Sequence, residues 1–247
     1  MDRQITALLC RTADRTPEAA AGTRELAGLL GARIVGSLGE PRTASWEVDL
    51  RDARGCLLEA GGQVDDALDA GRVPLLLAGD CAVCVATLPV VVRHRPDVRV
   101  LWLDAHGDFN TPATTASGYL GGMGLAGACG LWDTGFGGGV GPARVVMHGV
   151  RDVEGGERVL LDRCGVHIVE QAAQLEGMDV YVHLDLDVLD PDAFPARFPA
   201  PGGMSPAALN AFLADVARVA TVVGAEVTSA APGHGDVIAG VIAPLVG

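Results

Sequence analysis

The chain has 247 residues, of which 49% are hydrophobic and 20% charged, enough apolar material for one α/β core and too much for a disordered segment. Its net charge of −13 repels phosphate backbones and anionic lipid, which disfavours nucleic-acid and membrane partners and is compatible with a cationic small molecule. The first fifteen residues are charged at once, no apolar run reaches the ~18 residues of a membrane span, and the six cysteines are scattered; reduced thiols in the cytoplasm are expected.

Aromatic residues are only 4%, so Val, Leu and Ala must build the core. Residues 4–10 read as a strand and 17–30 as a helix with Pro17 in its first turn. A strand at 33–38 and a helix over 50–70 follow. Residues 73–78 and 98–103 are continuous apolar runs, as expected of strands covered on both faces, with a helix over 83–95 between them. Strands are then predicted at 144–150, 166–169, 180–186 and 222–227. The matching helices are 156–164, 205–219 and 236–245, with Ser205 as an N-cap. This alternation predicts a mostly parallel sheet between two helical layers, in a single domain over residues 1–247. Two long segments, 105–141 and 188–203, interrupt the rhythm directly after strands, where parallel folds build their sites.

The strand at 98–103 runs into Asp104-Ala-His106-Gly-Asp108-Phe-Asn110. Alternate residues of an extended chain share a side, so Asp104, His106 and Asp108 can converge. The strand at 180–186 carries His183, Asp185 and Asp187 at the same spacing. Carboxylates on an otherwise apolar strand are costly unless a cation compensates them. Oxygen donors with a histidine favour a hard ion such as Mn²⁺ over structural zinc.

The segments Asp104–Asn110 and His183–Pro191 resemble two signatures of the arginase/agmatinase (ureohydrolase) family, and Gly79-Asp80-Cys81 resembles a third. The resemblance spans nearly the whole chain and implies a three-layer α/β/α fold around a parallel sheet of about eight strands, assembled as trimers or hexamers. It implies one metal site from Cys81, Asp104, Asp108 and Asp185, and another from His106, Asp104, Asp185 and Asp187. A water activated there would attack a guanidinium carbon. By the same resemblance Asn110, Thr115 and Ser117 contact a substrate α-carboxylate, Glu154 and Glu157 its α-amino group, and Glu226 its guanidinium. Asp108, Glu226 and His183 are the candidate catalytic residues. The implied substrate is a small guanidino amino acid.

Two positions depart from the family pattern. Cys81 replaces a ligand histidine, and a thiolate is too soft to favour Mn²⁺, so one or two ions are expected with the Cys81 site weak or empty. A buried inert thiol, or a redox pair with Cys84, are the other readings of Cys81. Gly121 stands where arginases carry a proton-shuttling histidine, a function worth about 10²–10⁴ in rate; His183 or His234 could substitute. With Tyr119, these departures resemble the hydroxyarginine-cleaving branch of the family, known from D-cycloserine biosynthesis. Nω-hydroxy-L-arginine, giving hydroxyurea and ornithine, is the expected substrate. L-arginine giving urea, or a silent member that only binds metal or amino acid, are the alternatives.

Overall fold

In the computed structural model, which describes residues 2–247, eight strands form one all-parallel sheet in the order β2-β1-β3-β8-β7-β4-β5-β6. The strands are β1 (Arg3–Leu8), β2 (Arg33–Val35), β3 (Val73–Leu77), β4 (Arg99–Leu103), β5 (Val145–His148), β6 (His167–Ile168), β7 (Asp179–Asp185) and β8 (Thr221–Thr228). The chain builds both edges first and then returns to insert β7 and β8 between β3 and β4. The carboxyl ends of β3, β8, β7 and β4 therefore lie side by side at the centre of the sheet, the position where parallel sheets hold their ligands.

The helices are α1 (Glu18–Leu30), α2 (Trp46–Asp52), α3 (Arg54–Asp69), α4 (Cys84–His94), α5 (Gly124–Ala128), α6 (Gly155–Cys164), α7 (Pro206–Val219) and α8 (Gly235–Val246). Strand periodicity sorts the core into two layers. Leu101, Leu103, Val180, Val182 and Leu184 pack against α1, α7 and α8. Val100, Trp102 and Tyr181 face the opposite way, onto α3, α4 and α5. Each fully buried leucine contributes about 2 kcal/mol of hydrophobic stabilisation. The expected three-layer architecture is thus present, with Ser205 capping α7 by accepting from the Ala208 amide.

Local differences have local causes. The expected helix over 50–70 is two helices, α2 and α3, joined at Ala53. Part of the long segment after β4 winds into α5. Cys10 and Cys56 are not the free thiols expected: the end of β1 meets the first turn of α3, and the two form a disulfide with Cα atoms 6.0 Å apart. A separation of 46 residues gave no spacing signal for that pairing. Among the described residues, no helix is long and apolar enough to cross a membrane.

One arginine organises the approach to the site. Arg151 donates to the carbonyls of Gly149, Asp187, Val188, Leu189 and Ala200, pinning the segment after β7 against the segment after β5. Gly149 makes this packing possible. Its φ of 87° suits glycine, and a β-carbon there would overlap the Val188 side chain.

Candidate metal centre

The carboxylates are aimed by backbone amides. Asp104 Oδ1 accepts from the His106 amide at 2.7 Å, Asp185 Oδ1 from the Asp187 amide at 2.8 Å, and Asp187 Oδ1 from the Ala105 amide at 3.1 Å. These bonds lock strand-end turns so that Asp104, Asp185 and Asp187 face one another. Asp108 adopts a left-handed backbone conformation, φ 47°, which aspartate tolerates better than most residues. Its carbonyl then accepts from the amides of Leu125 and Ala126 and holds the start of α5.

The two oxygens of Asp104 face different partners. On one side His106 Nδ1 lies 3.4 Å from Asp104 Oδ1 and 3.0 Å from Asp187 Oδ2. On the other, Cys81 Sγ lies 3.9 Å from Asp104 Oδ2 and 2.8 Å from Asp185 Oδ2. Thr228 and Ser229 donate to Asp185 Oδ2 at 3.0 and 2.5 Å. Ligand atoms of Asp104, His106 and Asp187 lie within 4.8 Å of one another, as do those of Cys81, Asp104 and His183.

Burial and mutual repulsion set the protonation. Burial, then the charges of Asp187 and Asp108, drive the Asp104 carboxyl well above the usual carboxylate range. Burial also raises Asp108, and Asp185 with help from Asp187. Burial opposes a charged His106, yet hydrogen bonds to Asp104 and Asp187 outweigh it and push its pKa up to about 12. Asp187 is lowered despite its burial because His106 lies against it. For Cys81, burial and then Asp185, Asp108 and Asp104 hold the thiol protonated far above its ordinary range. Anionic oxygens gathered this closely, with one imidazole among them, fit a divalent cation, which removes the repulsion that otherwise forces protons onto them.

The cluster opens into a cavity of about 450 Å³. Its wall includes Cys81, Asp104, His106, Asp108, Asp185 and Asp187, and also Asn110, Ser117, Glu154 and Glu157. Asn110 Nδ2 donates to Glu154 Oε2 at 3.1 Å. Glu157 is occupied locally: its carboxylate accepts from the amides of Phe109 at 2.7 Å and Glu154 at 3.2 Å, completing a capping box at the start of α6. Thr115 lies beside the wall, its hydroxyl 3.5 Å from that of Ser117 and accepting from the Gly118 amide.

Glu226 and His183 are placed differently from the sequence reading. Both are fully buried, and neither lines the cavity. Strand β8 continues to Thr228, one residue beyond the expected end, and Ser229, which follows it, lines the cavity. Glu226 turns toward α4, where its carboxylate meets His183 Nδ1 at 2.6 Å and accepts from Thr87 at 2.5 Å and Tyr181 at 3.3 Å. His183 Nε2 then points at Cys81 Sγ, 3.4 Å away, and its ring stacks on Trp102 at 3.5 Å. The result is a Glu226–His183–Cys81 chain leading from α4 to the cavity wall. His234 is half-buried and packs on Phe194, away from the wall.

Several wall residues carried no sequence assignment: Asp80, Arg15, Arg197, Asp152 and Ser229. Burial and then Asp14 push the Asp80 carboxyl up to about 8. Arg11 orders the segment bearing Asp14 and Arg15 by donating to the Asp14 carbonyl at 2.8 Å and to Asp49 at 2.7 Å. Asp80 was detectable from its place beside Cys81. Arg15 and Arg197 lie in irregular segments, Arg197 within the long stretch after β7, where no local pattern marked either residue.

The sequence profile of the arginase family matches residues 44–240. The N(omega)-hydroxy-L-arginine amidinohydrolase of Streptomyces lavendulae is 42% identical over 216 residues, covering 81% of this chain and 79% of that protein. The arginase of Brevibacillus brevis is 38% identical over 166 residues, 58% of this chain and 56% of that one. In three dimensions, the arginase of Bacillus cereus superimposes with a TM-score of 0.86 at 23% identity, covering 100% of this chain and 99% of that one. Family profile, relatives and fold agree with the strand-end carboxylate cluster, and the chain belongs to the arginase family.

Proposed function

We propose that this arginase-family hydrolase cleaves Nω-hydroxy-L-arginine into hydroxyurea and L-ornithine. The observation that carries the reading is the convergence of Asp104, His106, Asp108, Asp185 and Asp187 on a cavity that also presents Asn110, Ser117 and Glu154. The 42% identical amidinohydrolase supports the choice of substrate. Mn²⁺ as the ion, a cytoplasmic location and assembly into trimers or hexamers belong to the same proposal and rest on family resemblance and donor chemistry.

Asp104, Asp108, Asp185, Asp187, His106 and Cys81 would hold the ions, which supply charge that activates a water nucleophile. The chain's own residues orient the reactant. Asn110 and Ser117 offer neutral donors suited to an α-carboxylate, and Glu154 an acceptor suited to an α-ammonium group. Hydrolysis forms a carbon–oxygen bond at the guanidino carbon, breaks the bond to the side-chain nitrogen, and places a proton on the departing amine.

Ser229 at the cavity end of β8 offers a hydroxyl and no charge, while Glu226 is committed to His183. An N-hydroxyguanidine is less basic than a guanidine and depends less on a carboxylate counter-charge there. The expected result for Mn²⁺-loaded protein is ornithine and hydroxyurea from hydroxyarginine, with slower urea release from arginine. Ornithine from neither substrate, in protein shown to carry metal, overturns the assignment.

A further inference from the structure

The departing amine needs a proton, and the wall of the cavity narrows its source. Among the described residues its one imidazole is His106, whose nitrogens face Asp104 and Asp187 on one side and Asp152, at 3.9 Å, on the other. His183 is sealed behind Cys81, and His234 lies elsewhere. Tyr119 is the phenol on this wall. Its hydroxyl donates to Asp80 Oδ2 and accepts from Arg197 Nη1 at 3.3 Å. The guanidinium groups of Arg15 and Arg197 sit over its ring at 4.7 and 5.2 Å, and Phe198 packs on it at 5.2 Å.

The ring also explains the glycine two residues on. A β-carbon at Gly121 would come within 2.7 Å of Tyr119 Cε1, 3.2 Å of Tyr119 Cζ and 3.1 Å of Asp80 Oδ1. Any side chain at 121 would therefore compete with the phenol for the same space. Residue 119 occupies it with a group that can itself give up a proton.

We propose that the Tyr119 hydroxyl is the catalytic proton donor to the departing amine, a role that rests on the amidinohydrolase reading above. As the carbon–nitrogen bond breaks, its electron pair stays with the amine nitrogen, which takes the phenolic proton. Arg15 and Arg197 offset the phenolate charge. The proton released by the attacking water then restores the phenol, so one water is consumed and no other reactant is needed. The charged groups facing the hydroxyl are Asp80, with Asp14 behind it, from the segments after β3 and β1, Arg15 from the latter, and Arg197 from the segment after β7.

The test compares wild type with Tyr119→Phe, Tyr119→Ala and Tyr119→Ala/Gly121→His, each with measured Mn²⁺ content, on Nω-hydroxy-L-arginine. Wild type without turnover would refute the functional reading itself; the remaining outcomes apply to an active wild type. Tyr119→Phe is expected to lower kcat by about 10²-fold, with KM changed by less than about threefold, and to lose the alkaline limb of the kcat–pH profile. The double variant is expected to regain about tenfold over Tyr119→Ala, with a new limb near the imidazole pKa of about 6.5. Should Tyr119→Phe fold poorly, 3,5-difluorotyrosine at 119 keeps the shape and acidifies the phenol, so the alkaline limb should move down in pH. Retained kcat with an unchanged profile in Tyr119→Phe, a loss confined to KM, or an unmoved limb in the fluorinated protein overturns the role.

Discussion

His106 and Cys81 take up the two oxygens of Asp104, and each has one further aspartate, Asp187 for His106 and Asp185 for Cys81. The two halves differ in everything else. The His106 half is partly open, with an imidazole held cationic by two carboxylates when no metal is bound. The Cys81 half is closed, with a neutral thiol backed by His183 and Glu226. Hard donors in the open half suit Mn²⁺, whereas the closed half must shed a thiol proton before it can bind a cation well. A shared aspartate therefore joins two donor sets of unequal hardness.

Substitutions can break this comparison, the largest effect coming from what the halves share. Asp104→Ala should lower kcat/KM by about 10³-fold, roughly 4 kcal/mol, and strip metal from both halves; metal analysis beside ornithine assays checks it, and metal retained in full would show that Asp104 bridges nothing. Glu226→Ala leaves His183, Thr87 and Tyr181 facing an unpaired void. It should cost about 3 kcal/mol of stability in denaturant unfolding, far more than the exposed-side change Asp152→Ala.

A smaller effect sharpens the contrast in hardness. Cys81→His should tighten Mn²⁺ binding in the closed half about tenfold and raise bound Mn²⁺ toward two ions. Unchanged Mn²⁺ content would remove softness as the explanation. The smallest effect is in pH. His106 has its folded pKa raised to about 12, so its contribution to the metal-free fold is complete below about 6.5 and lost as pH rises toward 12. Asp104 and Asp108 have raised folded pKa values too, so the fold favours their protonated forms and loses stability as pH climbs above the ordinary carboxylate range. Both trends weaken the metal-free chain as pH rises, and metal displaces these protons. The rise in Tm produced by Mn²⁺ should accordingly be larger at pH 8 than at pH 6, and a rise independent of pH would count against proton displacement.

The sequence carried the sheet and the strand-end carboxylate cluster because both follow short-range rules. Two-residue periodicity put Asp104, His106 and Asp108 after one strand and Asp185 and Asp187 at the end of another, and parallel topology brought them together. Glu226 lies beneath the cavity and not on its wall because its neighbours on β7 and α4, His183, Tyr181 and Thr87, hold its carboxylate, and no sequence spacing marked those partners. Tyr119 stood out in the sequence, but the placement of Arg15 and Arg197 over its ring stayed illegible because three separate segments meet there. Arg151, three residues before Glu154, serves the framework: its partners are all carbonyl oxygens of neighbouring loops.

Trp102 is fully buried, its indole nitrogen has no hydrogen-bond partner, and its ring lies flat on His183. Trp46 and Trp132 pair with each other elsewhere. The apolar setting of Trp102 shifts its emission to the blue of theirs, and contact with the imidazole makes its brightness sensitive to the charge on that ring. Trp102 emission is thus expected to respond, through His183, to a change at Cys81, and comparing wild type with Trp102→Phe during a metal titration would check it.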